Sequence, residues 1–123
     1  MKATLERSHL LKSLGHVHRV VERRTTIPIL SNVLIRSEEG SVQLKATDLD
    51  LEVVERVPAM VEQPGATTVP AHILHDIIRK LPDGAEVSLD TAGSGDTLAL
   101  SAGKSRFTLQ MLPDSEFPDI TAG

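Results

Sequence analysis

A chain of 123 residues holds about one domain, and with 40% hydrophobic residues it can bury a core. It has no cysteine, which excludes a disulfide framework and a cysteine-bound zinc; no apolar run nears the ~20 residues of a membrane helix, and the start MKATLERSHL carries no signal-peptide core. A cytoplasmic domain that does not enter membranes is therefore expected, and its net charge of −4 argues against nucleic acid only if that charge is evenly spread.

After a short opening strand, SHLLKSLGHVHRVVERR places Leu10, Leu14, Val17 and Val21 at spacings of 4, 3 and 4, with Leu11 and Val20 widening the stripe. This spacing predicts an amphipathic helix over 8–24 with Ser8 as N-cap. Gly15 weakens it by about 1 kcal/mol relative to alanine. RRTTIPILSNVLI then leads into a buried strand, VQLKA buries Val42, Leu44 and Ala46, and LDLEV is expected to bury Leu49, Leu51 and Val53. A second helix is predicted over 71–81. Pro70 stands near its start, Leu74, Ile77, Ile78 and Leu81 form its buried face, and PDG stops it. TLALS and RFTLQM alternate as strands, and EEGS, QPGA, PDGA and AGSGD supply turns.

The order is strand, helix, three strands, and then the same again, which makes the fold class α+β. A shift of 56 positions carries Val42, Leu44, Ala46, Leu51 and Val53 onto Leu98, Leu100, Ala102, Phe107 and Leu109 without a gap, and HLLKSL (9–14) aligns with HILHDI (72–77). Two halves, about 1–65 and 66–112, are expected. Each would form one antiparallel layer, with the two helices side by side against the strands.

Charge is segregated. The helical regions 8–24 and 71–81 carry +4, the remainder −8, and all five histidines lie in the helical regions. His9, Lys12, His16, Arg19 and Arg23 follow 3, 4, 3, 4 spacing, and His72, His75 and Arg79 follow 3, 4. Both helices thus present a basic stripe, the mark of a surface that faces a polyanion. With no Trp or Tyr and two Phe placed in or after strands, there is no aromatic platform for single strands. What remains is sparse, salt-sensitive attraction to a phosphate backbone, the regime in which proteins slide. The competing reading is an interaction domain whose basic helix faces bind an acidic protein partner.

Catalytic and metal motifs fare poorly. SAGKS lacks the glycine that a phosphate-binding loop needs at position 98, which is leucine. AGSGD lacks the nucleophile-elbow pattern. Asp48, Asp50 and Glu52 alternate as one strand face and would serve a metal-dependent enzyme only if they bound a divalent ion; a solvated strand side is the simpler reading. His16 and His18, two apart on a helix, diverge, and His72 and His75 lack an evident third ligand. Neither a metal site, a cofactor nor catalysis is expected.

TIPILSNVLI, ATDLDLEV, PGATTVPA, LPDGAEVSL and GKSRFTLQMLPDSEFP, in this order, resemble the N-terminal domain of the bacterial DNA sliding clamp, the DNA polymerase III beta subunit. The resemblance runs from MKATLERSHLLK to FPDI. It implies the DNA-clamp fold, two β-α-β-β-β repeats with adjacent helices on antiparallel sheets. It further implies three such domains per chain and two chains per ring, with helices lining the hole and sheets forming the rim. The whole chain, 1–123, would then be the N-terminal domain, the middle and C-terminal domains being absent from it.

The implied function is that of a non-catalytic processivity factor encircling duplex DNA without sequence specificity. In the full-length protein it would tether a replicative polymerase and be handled by a clamp loader. Arg24 matches a family arginine that touches the DNA backbone. Lys12, Arg19, Arg79 and His72 are candidates for the hole lining, although an arginine can stand at position 72 and histidine is mostly neutral at pH 7. Pro28 would end the arginine-bearing loop, and Ile29 and Leu30 would start the buried strand. GKSRFTL corresponds to an edge strand that joins the third domain of the partner chain in the homodimer. Phe107 and Leu109 would be its apolar anchors, with Lys104 (at a family arginine position) and Arg106 facing acidic residues across the seam.

Overall fold

Alternating apolar residues form two antiparallel sheets, and both helices supply apolar faces to the core they share with them. The computed structural model describes residues 1–21, 27–91 and 96–118. The elements run β1 (Lys2–Glu6), α1 (Arg7–Val17), β2 (Asn32–Glu38), β3 (Ser41–Thr47), β4 (Glu52–Pro58), β5 (Met60–Gln63), β6 (Gly65–Pro70), α2 (Ala71–Lys80), β7 (Glu86–Asp90), β8 (Thr97–Ala102) and β9 (Ser105–Gln110). Leu10, Leu14 and Val17 of α1 and Leu74 and Ile78 of α2 are buried on the apolar sheet faces of Val33, Ile35, Val42, Leu44, Val87, Leu89, Leu98 and Leu100. At ~25 cal/mol per Å² of apolar surface removed from water, this shared core is the main stabilising term.

The sheets are not one per half. Their strand orders are β5–β1–β7–β8–β9 and β4–β3–β2–β6, so β1 lies beside β7 and β6 beside β2. Each sheet borrows the leading strand of the other half. Alternation names which face of a strand is buried but not which strand lies beside it, so the sequence pattern pointed to the simpler layering.

The gapless shift of 56 also fails beyond the hairpin turns. It holds for Val42, Leu44 and Ala46 against Leu98, Leu100 and Ala102. However, Val42 pairs with Val57 where Leu98 pairs with Leu109, which makes Val57 the counterpart of Leu109, an offset of 52. Six residues separate Ala46 from its partner Val53, whereas two separate Ala102 from Ser105.

The extra residues form a closed turn and correct the burial expected of LDLEV. Asp48 accepts hydrogen bonds from the amides of Asp50 (2.9 Å) and Leu51 (2.7 Å). The Thr47 hydroxyl accepts from the Leu49 amide (3.0 Å) and donates to the Leu51 carbonyl (2.7 Å). Leu49 takes a φ of 81° and is exposed, as is Leu51, and the strand resumes only at Glu52. Asp48 therefore caps a turn and does not share a strand face with Glu52.

α1 is shorter than the apolar stripe suggested. It ends at Val17 and continues as a 3-10 turn over His18–Val20. Its N-cap is Glu6 rather than Ser8; the Ser8 hydroxyl instead donates to Glu6 Oε1 at 2.7 Å. β1 runs directly into the helix, and the Ala85 carbonyl, 2.9 Å away, takes up the Arg7 amide. That leaves no room for a capping residue two positions later.

Ile29 and Leu30 do not begin β2 but lie in a 3-10 turn, Pro28–Ser31. They are buried with Leu34 and Phe117 in a second, smaller cluster. Its members cover the outer face of β2, since Val33 and Ile35 on either side of Leu34 point into the main core. The segment after β9 is fastened there by Thr68 and Leu112, which exchange backbone hydrogen bonds (3.3 and 3.1 Å). The Thr68 hydroxyl donates to the Leu112 carbonyl (2.8 Å) and accepts from Asn32 (3.0 Å).

Candidate nucleic-acid interface

α1 turns its apolar stripe inward, so the opposite side carries His9, Lys12 and His16, with Arg19 continuing the row on the 3-10 turn; all four are exposed. They are not equivalent as cations. His16 meets Glu55 of β4 at 3.0 Å and His9 lies 3.8 Å from Glu6. Among the described residues Lys12 and Arg19 make no ion pair. Arg23 and Arg24 lie outside the described residues.

α2 contributes less to this row than its spacing suggested. Arg79 is exposed, 3.5 Å from Asp76. His72 and His75 turn toward the end of α1. His72 Nε2 lies 3.1 Å from the Val21 carbonyl and donates to it, and the His75 ring stands edge-on to His18 with centroids 3.9 Å apart. Burial pushes the His75 imidazole below its ordinary value; the Asp76 carboxylate opposes this, and Arg79 and His72 add to it.

Apart from Asp76 on α2, the exposed carboxylates lie elsewhere. Glu38, Glu39, Asp50, Glu62, Asp83, Glu86, Asp96, Asp114 and Glu116 are exposed on strands and turns outside the helices. Two groups, at opposite ends of α2, escaped the sequence reading. His16 and His18 diverge on the helix, and that divergence is what sends His18 inward against His72 and His75. Arg7, just ahead of the expected helix start, is buried. The signal for it was an arginine at the exit of an apolar strand, which alone is too common to single out.

β9 is the outer strand of its sheet, with one side unpaired. Leu109 faces Leu98 and is buried in the chain's own core, whereas Phe107 is only half-buried. Phe107 lines a groove of about 290 Å³ with Ile73, Ile77, Leu81 and Pro82 from α2 and the turn after it. Lys104 in the hairpin turn and Arg106 on the strand are exposed beside it. β4 is likewise the outer strand of its own sheet, with exposed Leu51 before it and exposed Val54 within it. Among the described residues no group of three or more His, Cys, Asp or Glu side chains is arranged to hold a metal ion. No described helix is long and apolar enough to cross a membrane.

Residues 1–121 match the family described as DNA polymerase III beta subunit, N-terminal domain. The chain is 53% identical over 122 residues to a beta sliding clamp of Caulobacter vibrioides, covering 99% of this chain and 33% of that protein. It is 45% identical over 122 residues to the beta sliding clamp of Escherichia coli, covering 98% of this chain and 32% of that protein. The crystal structure of a DNA polymerase sliding clamp from Caulobacter crescentus superposes with a TM-score of 0.96 at 52% identity, over 99% of this chain and 33% of that one. The chain thus spans about a third of the length of the curated relatives it matches.

Proposed function

The chain belongs to the DNA polymerase III beta subunit family, as its N-terminal domain, and from that premise we propose that it is one segment of a ring-shaped processivity factor. The ring encircles duplex DNA without reading its sequence, is placed there by a loader, and tethers the replicative polymerase in the cytoplasm. It performs no chemistry itself. The middle and C-terminal domains complete each half-ring, and the two halves of this domain are repeats of one unit.

The observation that carries this reading is the placement of charge. Lys12 and Arg19 stand exposed on the helical side with no ion pair among the described residues, while the exposed carboxylates other than Asp76 of α2 lie on strands and turns. A wall with few cations attracts phosphates weakly enough to let the duplex pass, and retention comes from closure of the ring rather than affinity. Arg24, Lys12 and Arg19 are the phosphate-facing groups, with Arg79 partly offset by Asp76. His72 contributes by holding the Val21 carbonyl.

The two outer strands fit a domain with a neighbour on each side. β9, with half-buried Phe107 and exposed Lys104 and Arg106, faces the third domain of the partner chain in a homodimer. Leu109 supports that edge from within the core. β4, with exposed Val54, faces the next domain of the same chain. Outer strands that stay unpaired invite aggregation, so neighbours that cover both edges also account for the exposed apolar residues there.

The test is a salt series on linear duplex with the full-length protein and its Lys12→Ala/Arg19→Ala variant. Each lost phosphate contact lowers the slope of log K against log salt by about 0.9, so the variant is expected to lose between one and two units of slope. An unchanged slope would remove these residues from the DNA-facing wall.

A further inference from the structure

Where α1 begins and the turn after α2 leads into β7, Pro58, Ala59, Met60 and Ala85 line a groove of about 940 Å³ together with the carboxylates of Glu6, Glu62 and Glu86. That volume lies within the ~300–1,000 Å³ range of sites that enclose a ligand. Met60 is 73% exposed, more than any other large apolar side chain among the described residues. We propose that this groove docks a cationic peptide segment of a partner protein, with an apolar side chain seated against Met60 and lysines or arginines answering the glutamates.

Strand register puts these groups together. Across the ladders of β1, Thr4 lies opposite Met60 of β5 and Glu6 lies opposite Glu86 of β7. Ala3 and Leu5 are buried in the core, so Thr4, Glu6, Met60 and Glu86 share the outward face. Like charges directly opposite on one face destabilise a strand pair, and little within the domain offsets this one. Glu86 makes no ion pair among the described residues. Glu6 accepts a hydrogen bond from Ser8 (2.7 Å) and lies 3.8 Å from exposed His9. Glu62 meets Lys2 at 3.5 Å with both side chains about half exposed. No described lysine or arginine lines the groove, and exposed Glu39 beside its Gly40 adds charge of the same sign.

A local rule broken without compensation inside the domain marks a functional surface. The sign of the charge selects the occupant: phosphates are repelled, whereas a cation relieves the repulsion between Glu6 and Glu86. The apolar lining narrows it further. A bare cation would leave Met60 in water, while a peptide carrying an apolar side chain covers it, and the flexible thioether of methionine adapts to the shape presented. The surface is separate from Lys12 and Arg19, so the inference stands whether or not the ring reading does.

The experiment observes the Met60 methyl group by NMR in the full-length protein with labelled methionine methyls, the signal being assigned by its loss in Met60→Leu. The probe is a blocked hexapeptide with two central leucines flanked by pairs of lysines. Two controls carry glutamates in place of the lysines or glycines in place of the leucines. The lysine–leucine peptide is expected to shift the Met60 signal, and both controls are expected to bind more weakly. A Glu6→Gln/Glu62→Gln/Glu86→Gln variant should weaken binding by about eightfold, roughly twofold for each exposed charge pair. Its Tm should not fall, because the opposed glutamates are gone; if the triple variant does not fold, Glu86→Gln alone serves, with about a twofold loss. No Met60 shift at about 1 mM peptide, where even a millimolar site is half filled, would overturn the proposal. So would equal affinity in wild type and variant, or equal binding of either control. A Met60 shift produced by duplex DNA, or by raising the protein concentration alone, would overturn it in favour of nucleic acid or a second copy.

Discussion

Arg7, the first residue of α1, caps the far end of α2 by donating from Nε to the Ile78 carbonyl at 3.1 Å. Its two other nitrogens reach the Arg79 carbonyl (2.9 Å) and Asp83 Oδ1 (2.7 Å). The last carbonyls of a helix have no partner within it, and a cation there also complements the helix dipole. One planar guanidinium, largely buried, does both and binds the two helices antiparallel. Arg7→Ala is expected to lower stability by about 2–3 kcal/mol, since it leaves carbonyls without a charged donor. Arg7→Lys should recover only part of this, because the single ammonium nitrogen lacks the planar fork that spans these three separate acceptors. Asp83→Ala should shift Tm less than Arg7→Ala does, since the carboxylate is almost fully exposed. Thermal unfolding of the three variants checks this order.

Gly15 is helical, and a methyl group added there would meet nothing within 4 Å. Gly15→Ala should therefore raise stability by about 1 kcal/mol, or about 4 °C in Tm. A loss of stability would mean that the glycine is needed for a close approach absent from the isolated domain.

The turn after β3 makes a prediction about acid. Hydrogen bonds from the Leu51 and Asp50 amides hold the Asp48 carboxyl below the usual carboxylate range. Its contribution to stability is complete above that range. It is lost as pH falls through the depressed value, because the unfolded chain binds the proton first. Asp48→Asn keeps an oxygen acceptor for both amides but cannot titrate. Its stability should fall slightly below that of the wild type near neutrality, where the ionised carboxylate contributes, and converge with it in acid, so that the acid limb of a Tm-against-pH curve becomes shallower. An unchanged acid limb would show that other carboxylates govern it.

The elements themselves were legible because helix and strand periodicities are local: α2 runs 71–80 where 71–81 was expected. What escaped the pattern was set by contacts distant in sequence. One partner of β1 is β7, eighty or more residues away, and nothing in KATLE names it. Leu49 and Leu51 fit an alternating strand as well as a turn, and side-chain bonds from Thr47 and Asp48 decide between them. On the site, the helical phase put Lys12 and Arg19 correctly on the exposed side. For His72 and His75 the 3, 4 spacing described one face, but that face adjoins α1, so the rings are spent on His18 and Val21. A single-helix wheel cannot show which flank a second helix covers.

The central claim, retention by encirclement, is tested most directly by loading the full-length protein onto nicked circular DNA with its loader and counting bound protein before and after one cut. Loss of the bound protein on linearisation is the predicted result, since a closed ring slides off a free end. Equal retention on circular and linear DNA would mean that the helix faces bind phosphate directly, and would contradict the account.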